Sequence, residues 1–112
     1  MDNQIQTINR NSLFSRAYRS KISFVSPYVI TYVVPRKKGR IRVGITASKK
    51  IGCAVTRNRA RRVVKAAAAQ VLKDADGSFD IVFVCRTATA AQKSTRLETV
   101  LTQHLGKAGV LR

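Results

Sequence analysis

From residue 3 to residue 73 the chain contains no Asp or Glu, yet 17 of its 22 Lys and Arg fall in that span. A fold built from such a stretch cannot neutralise its cations with neighbouring side chains. It must spread them over solvent or lay them against an external anion. The acids are Asp2, Asp74, Asp76, Asp80 and Glu98, and the net charge is +17. A field of that size and one-sidedness concentrates a polyanion and speeds encounter with it. The charge is woven through patterned sequence and does not trail as a basic tail beside a lipid anchor, which favours nucleic acid over a membrane surface.

The patterning is that of one folded domain over residues 1–112. With 45% apolar residues, 112 residues suffice for a core without disulfide or metal support. No apolar run approaches the ~18 residues of a membrane span. The opening "MDNQIQTINRNS" lacks the basic-then-apolar layout of a secretory signal, so a cytoplasmic location is expected. Cys53 and Cys85 stand outside any metal-ligand spacing and are expected to be reduced, packed thiols.

"NSLFSRAYRS" (11–20) predicts a short helix with Leu13, Phe14, Ala17 and Tyr18 on one side. In "ISFVSPYVITYVVP" the β-branched residues predict a strand near 22–25 and another over 28–34, divided by Pro27. A turn at Gly39 leads to a strand over 40–47, which predicts a hairpin between 28–34 and 40–47. Over 54–73, Ala60, Val63, Val64, Ala67 and Val71 recur at helical spacing as a core-facing stripe. "FDIVFVCR" is nearly continuous apolar sequence, as in a strand covered on both faces. A last helix begins near Thr95, where Thr95 and Glu98 fit a capping box, and Leu97, Val100, Leu101 and Leu105 form its buried stripe. The order α-β-β-β-α-β-α predicts an α+β sandwich with helices on a small sheet.

Catalysis by the polypeptide is poorly supported. The single histidine, His104, lies beside an apolar stripe and is expected to be half-buried and structural. Asp74, Asp76 and Asp80 surround a glycine turn, where Asp commonly satisfies local backbone donors; a metal site there is the alternative. No nucleophile–base set and no glycine-rich phosphate loop can be assembled. No catalytic residue and no metal-binding residue is therefore assigned.

Binding is better supported. Arg57, Arg61 and Lys65 follow one another at four-residue steps, Asn58 and Arg62 form a neighbouring row, and Lys49 and Lys50 precede the helix. Like charges at that spacing weaken a helix, so a polyanion partner accounts for them better than a solvated face does. Arginine offers a planar fork to phosphate oxygens, and Asn58 can address a base edge or a 2′-hydroxyl. Phe14 with Tyr18, and Tyr28 with Tyr32 on one strand face opposite Val29, Thr31 and Val33, suit either core packing or the stacking of unpaired bases.

"RVGITASKKIGCAVTRNRARR" (42–62) closely resembles the signature of the bacterial ribonuclease P protein subunit. The matching pieces are Arg42-Val43-Gly44, Ser48-Lys49-Lys50, Gly52-Cys53-Ala54-Val55 and Arg57-Asn58-Arg59 with Arg61 and Arg62. The resemblance implies a fold with a left-handed β-α-β crossover, shared with a ribosomal protein domain. It implies a protein cofactor that assists a catalytic RNA in removing the 5′ leader of precursor tRNA, with Mg²⁺ bound by RNA and not by a dedicated protein site. Lys49, Lys50, Arg57, Asn58, Arg59, Arg61, Arg62 and Lys65 are implied to meet the catalytic RNA. Phe14, Tyr18, Lys21, Tyr28, Tyr32 and Ser48 are implied to meet the leader. The partners are then the catalytic RNA and precursor tRNA, with no obligate protein partner. Lys21 stands where the family commonly has glycine, and Cys53 where asparagine is common. A ribosomal-type RNA-binding protein and a metal nuclease through the Asp cluster are the alternatives.

Overall fold

The computed structural model describes residues 5–8, 11–20, 22–37, 39–73, 75 and 77–110. Its elements are β1 (Ile5–Thr7), α1 (Asn11–Tyr18), β2 (Ser23–Val25), β3 (Val29–Pro35), β4 (Ile41–Thr46), α2 (Ala54–Val71), β5 (Phe79–Cys85) and α3 (Ser94–Lys107), with single 3-10 turns at Lys49–Ile51 and Thr89–Ala91. From α1 onward this is the expected order α-β-β-β-α-β-α. The strand β1 precedes it and adds a fifth strand to the sheet.

The sheet order is β1-β4-β5-β3-β2. The expected hairpin between β3 and β4 does not form, because β5 lies between them, antiparallel to β3 and parallel to β4. The physical reason is the apolar run of β5. Ile81, Val82 and Phe83 are fully buried, so the strand must be covered on both faces and paired along both edges. The hairpin that does form is β2–β3, with Phe24 opposite Thr31. The parallel neighbours β4 and β5 are joined through α2, which makes the β-α-β unit.

Strand alternation divides the sheet into two faces. One packs under α2 and α3 on a core that includes Val29, Val33, Ile81, Phe83, Ala60, Val64, Ala67, Leu97, Leu101 and Leu105. The other lies under α1, where Ala17, Val82 and Ile8 are buried with Phe14, Tyr32, Val34 and Val84 packed against them. The stripes expected of α2 and α3 are the ones that pack, with Val63, Val71 and Val100 at their half-buried margins. The start of α3 differs: it begins at Ser94 after Lys93, and no side-chain cap bond closes it.

His104 is more buried than expected, at 6% exposure. Its Nδ1 lies 2.8 Å from Thr31 Oγ1, and Phe24 stacks on its ring at 5.7 Å. Burial lowers its pKa below the ordinary value, and Lys107 adds in the same direction. Asp80 is not a turn residue. It sits in β5 at 1% exposure, and Arg42 donates to both its oxygens, from Nε at 2.7 Å and from Nη2 at 2.8 Å. Arg36 Nε adds a contact at 3.0 Å. The pairing raises the pKa of Arg42 and fixes its guanidinium to the sheet.

Candidate nucleic-acid interface

The approach to α2 is set by glycine. Gly52 has φ +143, a conformation that side-chain-bearing residues rarely adopt, and it turns the chain from the Lys49–Ile51 turn into the helix. Lys49, Lys50 and Ser48 are exposed on that turn. Cys53 occupies the N-cap position, with Sγ 3.5 Å from Thr56 Oγ1. That hydrogen bond, helped by backbone N–H groups of Thr56 and Val55, lowers the Cys53 pKa. Cys53 is exposed, which departs from the packed thiol expected, whereas Cys85 is buried and burial pushes its thiol up to about 11.

On α2 the buried positions are Ala60, Val64, Ala67 and Ala68. Arg57 and Arg61 flank this stripe and are half-buried, while Asn58, Arg59, Arg62 and Lys65 are exposed. Arg61 Nη2 donates to Asn58 Oδ1, which ties the two rows of the helix together. Arg57 Nε is buried with no hydrogen-bond partner. The first turn holds no acid, so the helix presents an uncompensated cationic surface beside the exposed lysines of the loop. Such a surface suits phosphate oxygens.

A second surface lies across the sheet under α1. Tyr32, Val82 and Gly44 form one row of adjacent residues across β3, β5 and β4. Phe14 packs on that row, and Tyr18 meets Tyr32 edge-on at 5.3 Å. The next row, Val25, Ile30, Val84 and Thr46, runs toward the end of β4. Val25 is 67% exposed and Tyr18 45% exposed, so an apolar and aromatic strip opens to solvent there. Residues 47–53 connect this strip to α2.

The sequence-based residues divide accordingly. Phe14, Tyr18 and Tyr32 come together in one cluster. Tyr28 does not share the face of Tyr32: it precedes β3 and packs against the larger core, and its carbonyl accepts from Thr89 Oγ1. One residue outside the strand, it escapes the alternation that would have paired it with Tyr32. Lys21 lies outside the described residues, as do Asp74 and Asp76. Val25, Ile30, Val84 and Thr46 were missed by sequence reasoning, although strict alternation along β2 to β5 places them on the α1 face. Among the described residues no group of three His, Cys, Asp or Glu could hold a metal ion, and no helix is long and apolar enough to cross a membrane.

A family model described as Ribonuclease P matches residues 3–109. The ribonuclease P protein component of Clostridioides difficile (strain 630) is 35% identical over 88 residues, covering 78% of this chain and 77% of that protein. That of Clostridium botulinum (strain Loch Maree / Type A3) is 32% identical over 104 residues, covering 92% and 94%. Among solved structures, the RNase P protein of Staphylococcus aureus matches with a TM-score of 0.79 at 27% identity, covering 95% of this chain and 97% of that one.

Proposed function

The chain belongs to the ribonuclease P protein family, and from that premise we propose that it is a single RNA-binding domain that binds a catalytic RNA through α2 and binds the 5′ leader of precursor tRNA along the strip under α1. Its role in tRNA 5′ processing is positional and electrostatic. Arg57, Arg59, Arg61, Arg62, Lys65 and Asn58 hold the catalytic RNA, with Lys49 and Lys50 on the loop. Phe14, Tyr18, Tyr32 and Ser48 meet the unpaired leader, whose bases stack on aromatic faces without needing a fixed sequence. Lys21 adds a phosphate contact. Tyr28, which the resemblance implied at the leader, packs against the core on the other face of the sheet and is not part of this strip.

Hydrolysis depends on Mg²⁺ held by the RNA and substrate. Mg²⁺ prefers carboxylate and phosphate oxygens, and both oxygens of Asp80 accept from Arg42, so this carboxylate does not fit a metal site. The protein's contribution is to reduce repulsion between two polyanions and so lower the Mg²⁺ required. The partners are RNA, with no obligate protein subunit, in the cytoplasm. The observation that carries the reading is the acid-free cationic surface of α2, contiguous with the Lys49–Lys50 loop.

The test is cleavage of precursor tRNA at low Mg²⁺ by the protein alone, by a bacterial ribonuclease P RNA alone, and by both. Cutting that requires the mixture supports the cofactor role. Cutting by the protein alone, or no effect of adding it, rejects that role.

A further inference from the structure

We infer that α2 grips RNA on two flanks, and that the second is a groove between α2 and the start of α3 that seats a phosphate of the RNA strand. The inference rests on the proposed RNA-binding role of α2 and adds a contact the motif alone does not supply. At 3.6 residues per turn, Arg57 and Arg59 point roughly 160° apart around the helix axis. Arg57 and Arg61 lie half-buried along one side of the core stripe, and the charge of Arg61 is felt by Cys85 at the end of β5. Arg59 and Arg62 lie on the other side. There they line a groove of about 570 Å³ together with Lys93, which comes from the segment before α3.

Three cations converge on this groove from two elements distant in sequence, and no acidic side chain lines it. Among the described residues, no ion pair or side-chain hydrogen bond engages Arg59, Arg62 or Lys93. Val63, Ala66 and Ala90 add apolar surface to the lining of the groove. A volume of this size is within the range of clefts that hold ligands. Cations beside apolar side chains fit one nucleotide step of an RNA strand, with its phosphate among Arg59, Arg62 and Lys93 and its sugar or base against Val63, Ala66 and Ala90. The start of α3 adds to the fit. Ser94 lines the groove, the helix has no side-chain cap and no acid in its first turn, and the N–H groups of Ser94 and Thr95 come before the first that turns back, Arg96 N–H to the Lys93 carbonyl at 3.1 Å.

Lys93 provides the discriminating test, because it is exposed and lies outside the arginine-rich motif. Binding of a transcribed bacterial ribonuclease P RNA would be measured across a salt series for the wild type, Lys93→Glu, Lys107→Glu and Arg57→Ala/Arg61→Ala. Lys107→Glu changes the net charge equally, but at the opposite end of α3, about 20 Å away at 1.5 Å per residue. Lys93→Glu is expected to weaken binding at every salt concentration and to lower the log–log salt slope by about 0.7–0.9, one phosphate contact. Lys107→Glu is expected to change the slope much less. Equal behaviour of the two Glu variants would overturn the groove. If Arg57→Ala/Arg61→Ala still loses affinity in that case, the wider role of α2 stands. If that variant also binds normally, the RNA-binding reading of α2 falls with the groove.

Discussion

Gly44 lies beneath the ring of Phe14: a Cβ built on Gly44 would meet Phe14 Cε1 at 2.6 Å and Cζ at 2.8 Å, and Ile8 Cβ at 3.2 Å. The backbone of Gly44 is ordinary strand, so the requirement is for space and not for conformation. Gly44→Ala is therefore expected to lift α1 from the sheet and cost about 1–3 kcal/mol, the usual range for overpacking. Urea unfolding measures the loss, and Phe14→Leu in the same chain should recover part of it. A Gly44→Ala protein as stable as the wild type would mean that Phe14 does not sit on this row.

Tyr18 stands on the rim of the same cluster. It is 45% exposed, and its contact with Tyr32 is edge-on, so truncation should cost little stability. A stacked base is worth about 1–3 kcal/mol, which converts to roughly 5- to 150-fold in affinity. Tyr18→Ala is expected to weaken binding of leader-bearing precursor tRNA by a factor in that range, measured in the assembled ribonucleoprotein. Binding of mature tRNA should stay nearly unchanged. Equal losses on both would place Tyr18 in the scaffold and not at the leader.

Cys53 and Cys85 offer a chemical check on the α2 surface. Thiolate is the reactive form. The Cys53 pKa is lowered by Thr56 and the residue is exposed, while burial holds Cys85 at about 11. Brief alkylation with iodoacetamide near neutral pH should give one adduct, on Cys53, located by peptide mass analysis. Prior addition of the catalytic RNA should protect it, since Cys53 adjoins both the lysine loop and the arginine rows. Undiminished labelling in the complex would show that RNA leaves the start of α2 uncovered.

How far these surfaces could be read from sequence depends on how local their causes are. The stripe through Ala60, Val64 and Ala67 is a property of one helix, so periodicity alone revealed it, and the cations on its exposed side followed. The turn at Gly39 was equally local, but a turn does not say whether the strands it joins are neighbours. β5 enters between β3 and β4 because its apolar run needs two partners, a decision made across some 40 residues of chain. The role of Asp80 was hidden for the same reason: Arg42 reaches it only once β4 and β5 are in register. The groove of Arg59 and Lys93 is tertiary as well, since neither helix carries it alone. The motif over 42–62 carried the resemblance and with it the expectation of a leader site at Phe14, Tyr18 and Tyr32, while the row that extends it through Val25, Ile30, Val84 and Thr46 follows only from the register of four strands.

The Thr31–His104 pair couples stability to pH, and the sign follows from burial. In the unfolded chain the imidazole takes up a proton near its ordinary pKa of about 6.5. In the folded protein that pKa is lowered, chiefly by burial and secondarily by Lys107. Between the two values the unfolded state binds more protons, so stability rises with pH there. The contribution is complete above about pH 6.5 and is lost as the pH falls through the lower, folded value. His104→Leu removes the titrating group and leaves the buried Thr31 hydroxyl without its partner, at a cost of about 1–3 kcal/mol near pH 7.5. Urea midpoints at pH 7.5 and pH 5 should then show the wild type falling further than the variant, so that the gap between them narrows in acid. Parallel declines would mean that His104 carries the same proton in both states and that its burial does not set the acid limit of the fold.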